Sequence, residues 1–576
     1  MEGNVAIALR GVSFTYSDNE EAALRDIDLT VHRGELIVVM GASGAGKSTL
    51  AKCLNRTVPA FQPGTLTGSI EILGRRLTGE GVADLAGVVG LVSQDFEAQL
   101  FATNVLQEIA FAMEQLGHTP SEMRQRVPAA LAAVGLAGFE RRDPSTLSGG
   151  EKQRLAIAAI LALRPPIFIF DEPTTDLDPA GKQEIFDVLG RLRRDGYTLV
   201  LIEHEIEAAE RADRVVLLDR GRIVASGAPA EVLPEVELLE RHAVRAADLD
   251  RLARAFGLRR TVRTLEALSE DLRQRLGRRQ GNDPLPAPAR AGAALNAAAA
   301  PILQVEAVTY AYEPERNALE EVSLEIRAGD SVALIGQNGS GKTTLAKLLN
   351  GLLVPTGGRV LLHGQPLAAL PLSRVAGEVG YVFQNPDHQI FANTVRDEVA
   401  FGPRNLGLDP AAVAVRVDEA LAAVGLCGAE EHDPFLFTKG ARQRLAVASL
   451  LALRPRVLVL DEPTTGLDYP EQRRMMDLVT RLQQAGMTLI IITHSPWVVA
   501  EYARRGVLLA RGRVLFDGSL RALFAQPELL ERCHFRVPDV TRLGRRFGFT
   551  PLSVDEFARA VADETPPASA RTPDGW

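Results

Sequence analysis

The sequence predicts an α/β protein in which one architecture, a parallel sheet covered by helices, is built twice. Three observations carry this. Short apolar runs, Leu36–Met40, Ile167–Phe170 and Leu199–Ile202, read as strands buried on both faces, as parallel sheets require. Helical stretches alternate with them, which is the pattern of a parallel sheet with helices on its faces. The arrangement then recurs in Ser331–Ile335, Val457–Leu460 and Leu489–Ile492. Gln94 and Gln384, Asp171 and Asp461, and His204 and His494 each stand 290 residues apart, whereas Lys47 and Lys342 stand 295 apart. The difference lies in a longer first-half stretch, Arg56–Gly64. A period this long marks two whole domains, not a solenoid.

Each half opens with alternating apolar residues, Val5–Tyr16 and Ile302–Tyr312, which read as half-exposed antiparallel strands. Next comes a glycine-rich loop between a buried strand and a helix that begins near the lysine. The first is Gly41-Ala42-Ser43-Gly44-Ala45-Gly46-Lys47-Ser48 and the second runs from Gly336 to Thr343, both fitting G-x-x-x-x-G-K-[ST]. The glycines let backbone N–H groups turn inward around phosphate oxygens. The helix N-terminus and the lysine add positive charge, and Ser48 or Thr343 is placed to hold Mg2+. The middle of each half reads as helical, over Asn104–Gln115 and Ser121–Val134, then Thr394–Asn405 and Pro410–Val424.

A strand in each half ends in two acids, Asp171-Glu172-Pro173 and Asp461-Glu462-Pro463. The first acid can reach Mg2+ beside the loop hydroxyl, and the second can orient a water attacking a γ-phosphate. The stretch Leu147-Ser148-Gly149-Gly150-Glu151-Lys152-Gln153-Arg154 precedes a helix. Its hydroxyl and backbone donors suit a phosphate held by the other half; a plain helix cap is the alternative.

Bulk properties narrow the classes. A chain of 576 residues holds about two to four domains. Net charge −9 argues against a nucleic-acid partner. Cys53, Cys427 and Cys533 are scattered, match no metal spacing and suggest a reducing compartment. No signal peptide is visible. No run reaches the roughly 18 apolar residues of a membrane span; Leu155–Phe170 is broken by Arg164, Pro165 and Pro166. Any membrane role is therefore peripheral. The repeat continues beyond the cores: Glu237–Arg241 matches Glu528–Arg532, and Phe256-Gly257 matches Phe547-Gly548. The expected organisation is a first domain 1–228 with an extension 229–281, a Pro/Ala-rich linker 282–300, a second domain 301–518 with an extension 519–562, and a disordered tail 563–576. The arginines of Arg251–Arg279, mixed with Glu266, Glu270 and Asp271, read as a solvated helix face.

Phosphate loop, glutamine, Leu-Ser-Gly-Gly-Glu, Asp-Glu-Pro-Thr-Thr and histidine follow one another as in ABC ATPases, and the resemblance covers most of the chain. It implies two P-loop ABC-type nucleotide-binding domains, each with an antiparallel β subdomain, a helical subdomain and a small C-terminal extension. It further implies a head-to-tail sandwich of the two halves with two ATP and Mg2+ between them. On this resemblance the ATP contacts fall on Gly41, Ser43, Gly44, Ala45, Gly46, Lys47, Ser48 and Thr49, and on Gly336, Asn338, Gly339, Ser340, Gly341, Lys342, Thr343 and Thr344. The signatures add Ser148, Gly149, Gly150 and Glu151 in one half and Thr438, Lys439 and Gly440 in the other. Tyr16 and Tyr312 resemble the aromatic that stacks on adenine, with strand packing as the alternative. Gln94 and Gln384 resemble the glutamine that senses Mg2+ and γ-phosphate. Asp178 and Asp468 resemble the loop aspartate facing the other half, and His204 and His494 the switch histidine. Metal contacts fall on Ser48, Gln94, Asp171, Thr343, Gln384 and Asp461; catalysis falls on Glu172, Glu462, His204 and His494.

Gln384-Asn385-Pro386-Asp387-His388-Gln389-Ile390-Phe391, followed by Glu398-Val399-Ala400-Phe401-Gly402-Pro403, resembles the ATPases of energy-coupling factor importers for vitamins and metals. The first half carries a looser version, Gln94 to Phe101. That family implies a transmembrane coupling protein and a membrane substrate-binding protein as partners, and a place on the cytoplasmic face of the membrane. It also implies extensions that join ATPase to ATPase, and a groove for coupling helices after the glutamine. A tandem ATPase for sugar uptake and a ribosome-associated tandem ABC protein are the alternatives. The second signature departs from the pattern: Phe437-Thr438-Lys439-Gly440-Ala441 puts lysine where glycine is expected. A positive φ there would cost about 1 kcal/mol; otherwise the lysine either crowds the phosphate or adds charge to it. Both sites are expected to bind ATP, with the second loop's site hydrolysing faster.

Overall fold

The computed structural model describes residues 4–175, 177–258, 264–276, 300–314 and 316–561. The expected linker, Ala300 apart, and the expected tail lie outside them. The chain divides into two compact units, 1–250 and 251–576.

In the first unit a four-stranded antiparallel sheet has the order Leu24–His32, Val5–Tyr16, Gly64–Ile72, Arg75–Arg76. A six-stranded sheet has the order Arg222–Gly227, Arg214–Asp219, Leu36–Met40, Thr198–Ile202, Ile167–Asp171, Val89–Val92. All its pairs are parallel except the antiparallel edge strand Arg222–Gly227. The second unit repeats both sheets, with Ser331–Ile335 paired to Thr488–Ile492 and Arg505–Ala510.

Alternation within the buried strands explains the layers. Leu36, Val38 and Met40 join one core with Phe168, Phe170, Leu199 and Leu201. Ile37 and Val39 join the opposite core with Ile167, Ile169, Val200 and Ile202. Side chains on a strand point to opposite faces in turn, so a five-residue apolar run fills both layers. The first core packs the helices Val105–Gln115, Pro120–Ala133, Gly149–Leu161 and Pro179–Arg194; the second packs Lys47–Leu54 and the antiparallel sheet. The predicted helices begin where capping residues stand: Asn104 accepts from Gln107 N, and Thr394 from Asp397 N. Among the described residues no helix is long and apolar enough to cross a membrane.

The first extension ends in the helices Asp248–Ala255 and Leu265–Leu276. From Arg251 onward it belongs to the second unit. Leu268 and Leu272 are fully buried there. Phe256 meets Phe557 edge-on at 6.1 Å, and Phe547 and Phe549 pack on the same ring. Arg546 pairs with Glu266 at 2.6 Å. Arg254 and Arg273 are both exposed, as on the solvated face expected; Arg273 in addition lies over Phe547 and donates to the Arg546 carbonyl. Phe557 is the keystone of this cluster. Phe557→Ala should cost about 3 kcal/mol or more, read as selective protease cleavage between 519 and 561 while the two nucleotide-binding cores stay intact.

Candidate nucleotide site

Sheet order brings the site together. Four adjacent strands end on one edge. Leu36–Met40 leads into the phosphate loop, Thr198–Ile202 into His204, Ile167–Asp171 into Glu172, and Val89–Val92 into Gln94. The loops close as the glycine spacing requires. Gly46 sits at φ 102° and Gly341 at 103°, each at the N-cap of its helix. A Cβ on Gly46 would stand 2.4 Å from the Ala23 carbonyl oxygen, so no side chain fits there. Lys47 Nζ donates to the carbonyls of Gly41 and Ala42 at 2.9 and 2.8 Å; Lys342 does the same to Gly336 and Gln337, both at 2.7 Å. The ammonium groups are thus fixed inside their loops.

Behind each loop lies a buried aspartate. Ser48 hydrogen-bonds Asp171, and Thr343 hydrogen-bonds Asp461. Burial pushes both carboxyls above the usual carboxylate range, against those hydrogen bonds and the nearby lysines. Asp171 Oδ1 is buried without a hydrogen-bond partner. An acceptor left over beside a hydroxyl suits a divalent cation. Among the described residues no cluster of three or more His, Cys, Asp or Glu could hold a metal. Mg2+ here would draw its remaining ligands from phosphate and water, as it usually does. Sequence reading missed one asymmetry: Tyr381 Oη donates to Asp461 Oδ2 at 2.7 Å, while Leu91 occupies the equivalent position in the first half.

Glu172 and Glu462 have φ of 51° and 47°. Non-glycine residues in that region store about 1–3 kcal/mol and cluster at functional sites. Glu172 Oε1 meets His204 Nε2 at 2.5 Å, and its Oε2 accepts from Gln94 Nε2 at 2.7 Å. Glu462 Oε1 meets His494 Nδ1 at 2.8 Å, and Gln384 stands exposed. Burial raises the Glu462 carboxyl, but His494 and Lys342 outweigh it and hold the group below its ordinary value.

Ser148 caps the helix Gly149–Leu161 in a reciprocal box with Glu151: Glu151 Oε2 accepts from Ser148 N and Oγ, both at 2.8 Å. Gly149 has no positive φ, and open space lies where its side chain would be. The strain envisaged for Lys439 therefore does not arise: it is simply the first residue of the helix Lys439–Leu451. Its ammonium lies against Gly466, so close that a Cβ there would be 2.4 Å away. Thr438 caps Ala441 N at 3.3 Å. The carboxylate lost from the signature reappears elsewhere. Ala441 replaces Glu151, Glu471 replaces Gly181, and Glu471 pairs with Arg444, the counterpart of Arg154. Asp178 and Asp468 cap the helices Pro179–Arg194 and Tyr469–Gln484, accepting from Gly181 N and Glu471 N.

Tyr16 and Tyr312 hydrogen-bond Thr49 and Thr344, at 3.1 and 3.2 Å, beside the loop helices. Tyr16 packs edge-on against Phe14 and Tyr312 edge-on against Tyr310, and Tyr312 is 60% exposed. The Glu471 pairing is testable. Glu471→Ala should lower stability by about 1.5–3 kcal/mol, the range for hydrogen bonds to charged groups, and adding Ala441→Glu should recover part of the loss in thermal unfolding.

The sequence model of a protein family described as "ABC transporter" matches residues 24–175 and 319–465. A protein of Caldanaerobacter subterraneus is 44% identical over 567 residues, covering 96% of this chain and 98% of its own length. One of Methanosarcina acetivorans is 38% identical over 591 residues, covering 98% and 95%. Both are named "Putative ABC transporter ATP-binding protein". A solved structure of cbiO1 from Clostridium perfringens, part of the ABC transporter complex cbiONQ, is 33% identical and covers 43% of this chain and 99% of its own, with a TM-score of 0.38. The chain belongs to the ABC transporter family: it is a tandem ATP-binding protein with two ABC ATPase domains, which bind ATP with Mg2+ and hydrolyse it.

Proposed function

We propose that the chain is the energy-coupling ATPase of an importer of the energy-coupling factor type, serving a vitamin or metal micronutrient from the cytoplasmic face of the membrane. One observation carries the reading. Just after each glutamine the surface exposes an aromatic pair: Phe101 and Phe111 are 63% and 43% exposed, and Phe391 and Phe401 are 56% and 48% exposed. Each pair meets edge-on at 4.7 Å. Apolar rings exposed together mark an interaction surface, and they sit where the resemblance places the groove for coupling helices. The Gln384–Phe391 stretch favours this importer type over a sugar importer. The packing of the first extension on the second supports a role for the extensions in holding the ATPase halves together.

The chemistry follows from the residues. Lys47 and Lys342 neutralise phosphate charge, and the loop N–H groups orient it. Mg2+, when bound by Ser48 and Asp171 or by Thr343 and Asp461, offsets charge on the phosphate oxygens. Glu172 and Glu462 orient the attacking water, each held by its histidine. Within each unit the signature helix and the phosphate-loop helix pack on opposite faces of the sheet. This supports the reading that each signature serves the ATP of the other half, so that Lys439 acts at the first loop's site.

Two experiments test this. In the assembled complex Glu462→Gln should lower ATPase activity more than Glu172→Gln; equal losses, or a larger loss from Glu172→Gln, refute unequal sites. Phe101→Asp with Phe391→Asp should abolish co-purification with membrane partners while leaving ATP binding unchanged. Co-sedimentation of the chain with ribosomes and not with membranes would reject the importer reading.

A further inference from the structure

A second carboxylate lies behind Glu172 and has no counterpart in the second half. Glu203, at the end of Thr198–Ile202, is 2% exposed. Its Oε1 accepts from Thr174 N at 3.1 Å and from Thr174 Oγ1 at 2.6 Å, and its Oε2 accepts from His204 N at 3.2 Å. Thr174 follows Glu172 by two residues, and His204 is the histidine that holds Glu172. One carboxylate therefore ties together the two backbone segments that bear the Glu172–His204 pair. The equivalent residue is Thr493, whose hydroxyl accepts from Ser495 N along its own chain.

We propose that Glu203 is a positioning residue for hydrolysis at the first nucleotide site, clamping the turn after Glu172 to the segment bearing His204. The proposal rests on the reading that Glu172 serves hydrolysis there. Burial, with the nearby Glu205 and Glu172 carboxylates, pushes the Glu203 carboxyl up to about 7 against the opposing effects of Thr174 and Lys182. Lys182 is itself paired with Glu205, and His204 faces Glu172. A folded-state value above the ordinary one, 4.5, means that this group favours the fold at low pH. That contribution is lost as pH rises through about 7. At pH 8 the ionised, buried Glu203 thus works against stability, a cost that functional residues often carry.

The test uses the full chain carrying Glu462→Gln, so that the first site is read alone. Adding Glu203→Gln should lower kcat about tenfold, with KM within about twofold, as a small misplacement of reacting groups does. At pH 8 the same substitution should leave the melting temperature equal or higher, and this advantage should shrink toward pH 5. Glu203→Thr, which copies the second half, should also lower kcat. An unchanged kcat overturns the proposal, as does a fall in kcat matched by a fall in melting temperature at pH 8. A Glu462→Gln background whose rate does not respond to Glu172→Gln defeats the reading of a hydrolysing first site, and the proposal with it.

Discussion

The nucleotide sites depend on the parallel pairing of four short strands. Leu36–Met40, Thr198–Ile202, Ile167–Asp171 and Val89–Val92 each carry four or five residues, and each leads into a segment of the candidate site. Parallel pairing puts all four ends on one edge, and the sheet order makes them neighbours. Register is fixed from both sides, because every second residue belongs to a different core. A slip by one residue would exchange the two cores and carry Asp171 out of reach of Ser48. The distances at the site are therefore set by apolar packing.

That packing also sets the electrostatics. The strand ends bury Asp171, Glu172 and Glu203 close together in one half, and Asp461 and Glu462 in the other. Like charges in a dry environment oppose ionisation, and the balance at each carboxyl depends on its local partners. Asp171 keeps an oxygen without a partner, whereas Asp461 is held by Tyr381 and Thr343. Glu462 leans on His494 and Lys342. The left-handed backbone at Glu172 and Glu462 shows that both turns are over-determined by their surroundings, since isolated residues avoid that conformation.

Much of this was legible in the sequence, because some residues carry their meaning in their spacing. The strands Leu36–Met40 and Ser331–Ile335 and the glycines of both loops stand where the pattern puts them, since only glycine fits against the Ala23 carbonyl at position 46. Glu203, Tyr381 and Glu471 were not legible. Each is an ordinary residue whose role comes from what another strand or helix places opposite it: Thr174, Asp461 and Arg444. The doubt over Lys439 turned on a backbone angle that no sequence prints. The angle is an ordinary helical one, so substitution there is sterically free.

That result bears on what makes the two signatures unequal. If Lys439 had forced the backbone, the second signature would be a damaged copy. Instead, Thr438 caps the helix as Ser148 does in the first half, Glu471 pairs with Arg444, and the lysine lies over Gly466. What has changed is charge. Lysine for glycine adds one positive charge, alanine for glutamate removes one negative charge, and Glu471, one turn inside the neighbouring helix, offsets one of the two. A compact ammonium at a helix N-terminus adds to the positive end of the helix dipole and favours an anion near it. The difference between the halves is thus one of electrostatics on an intact scaffold, because both signature helices form behind a hydroxyl cap.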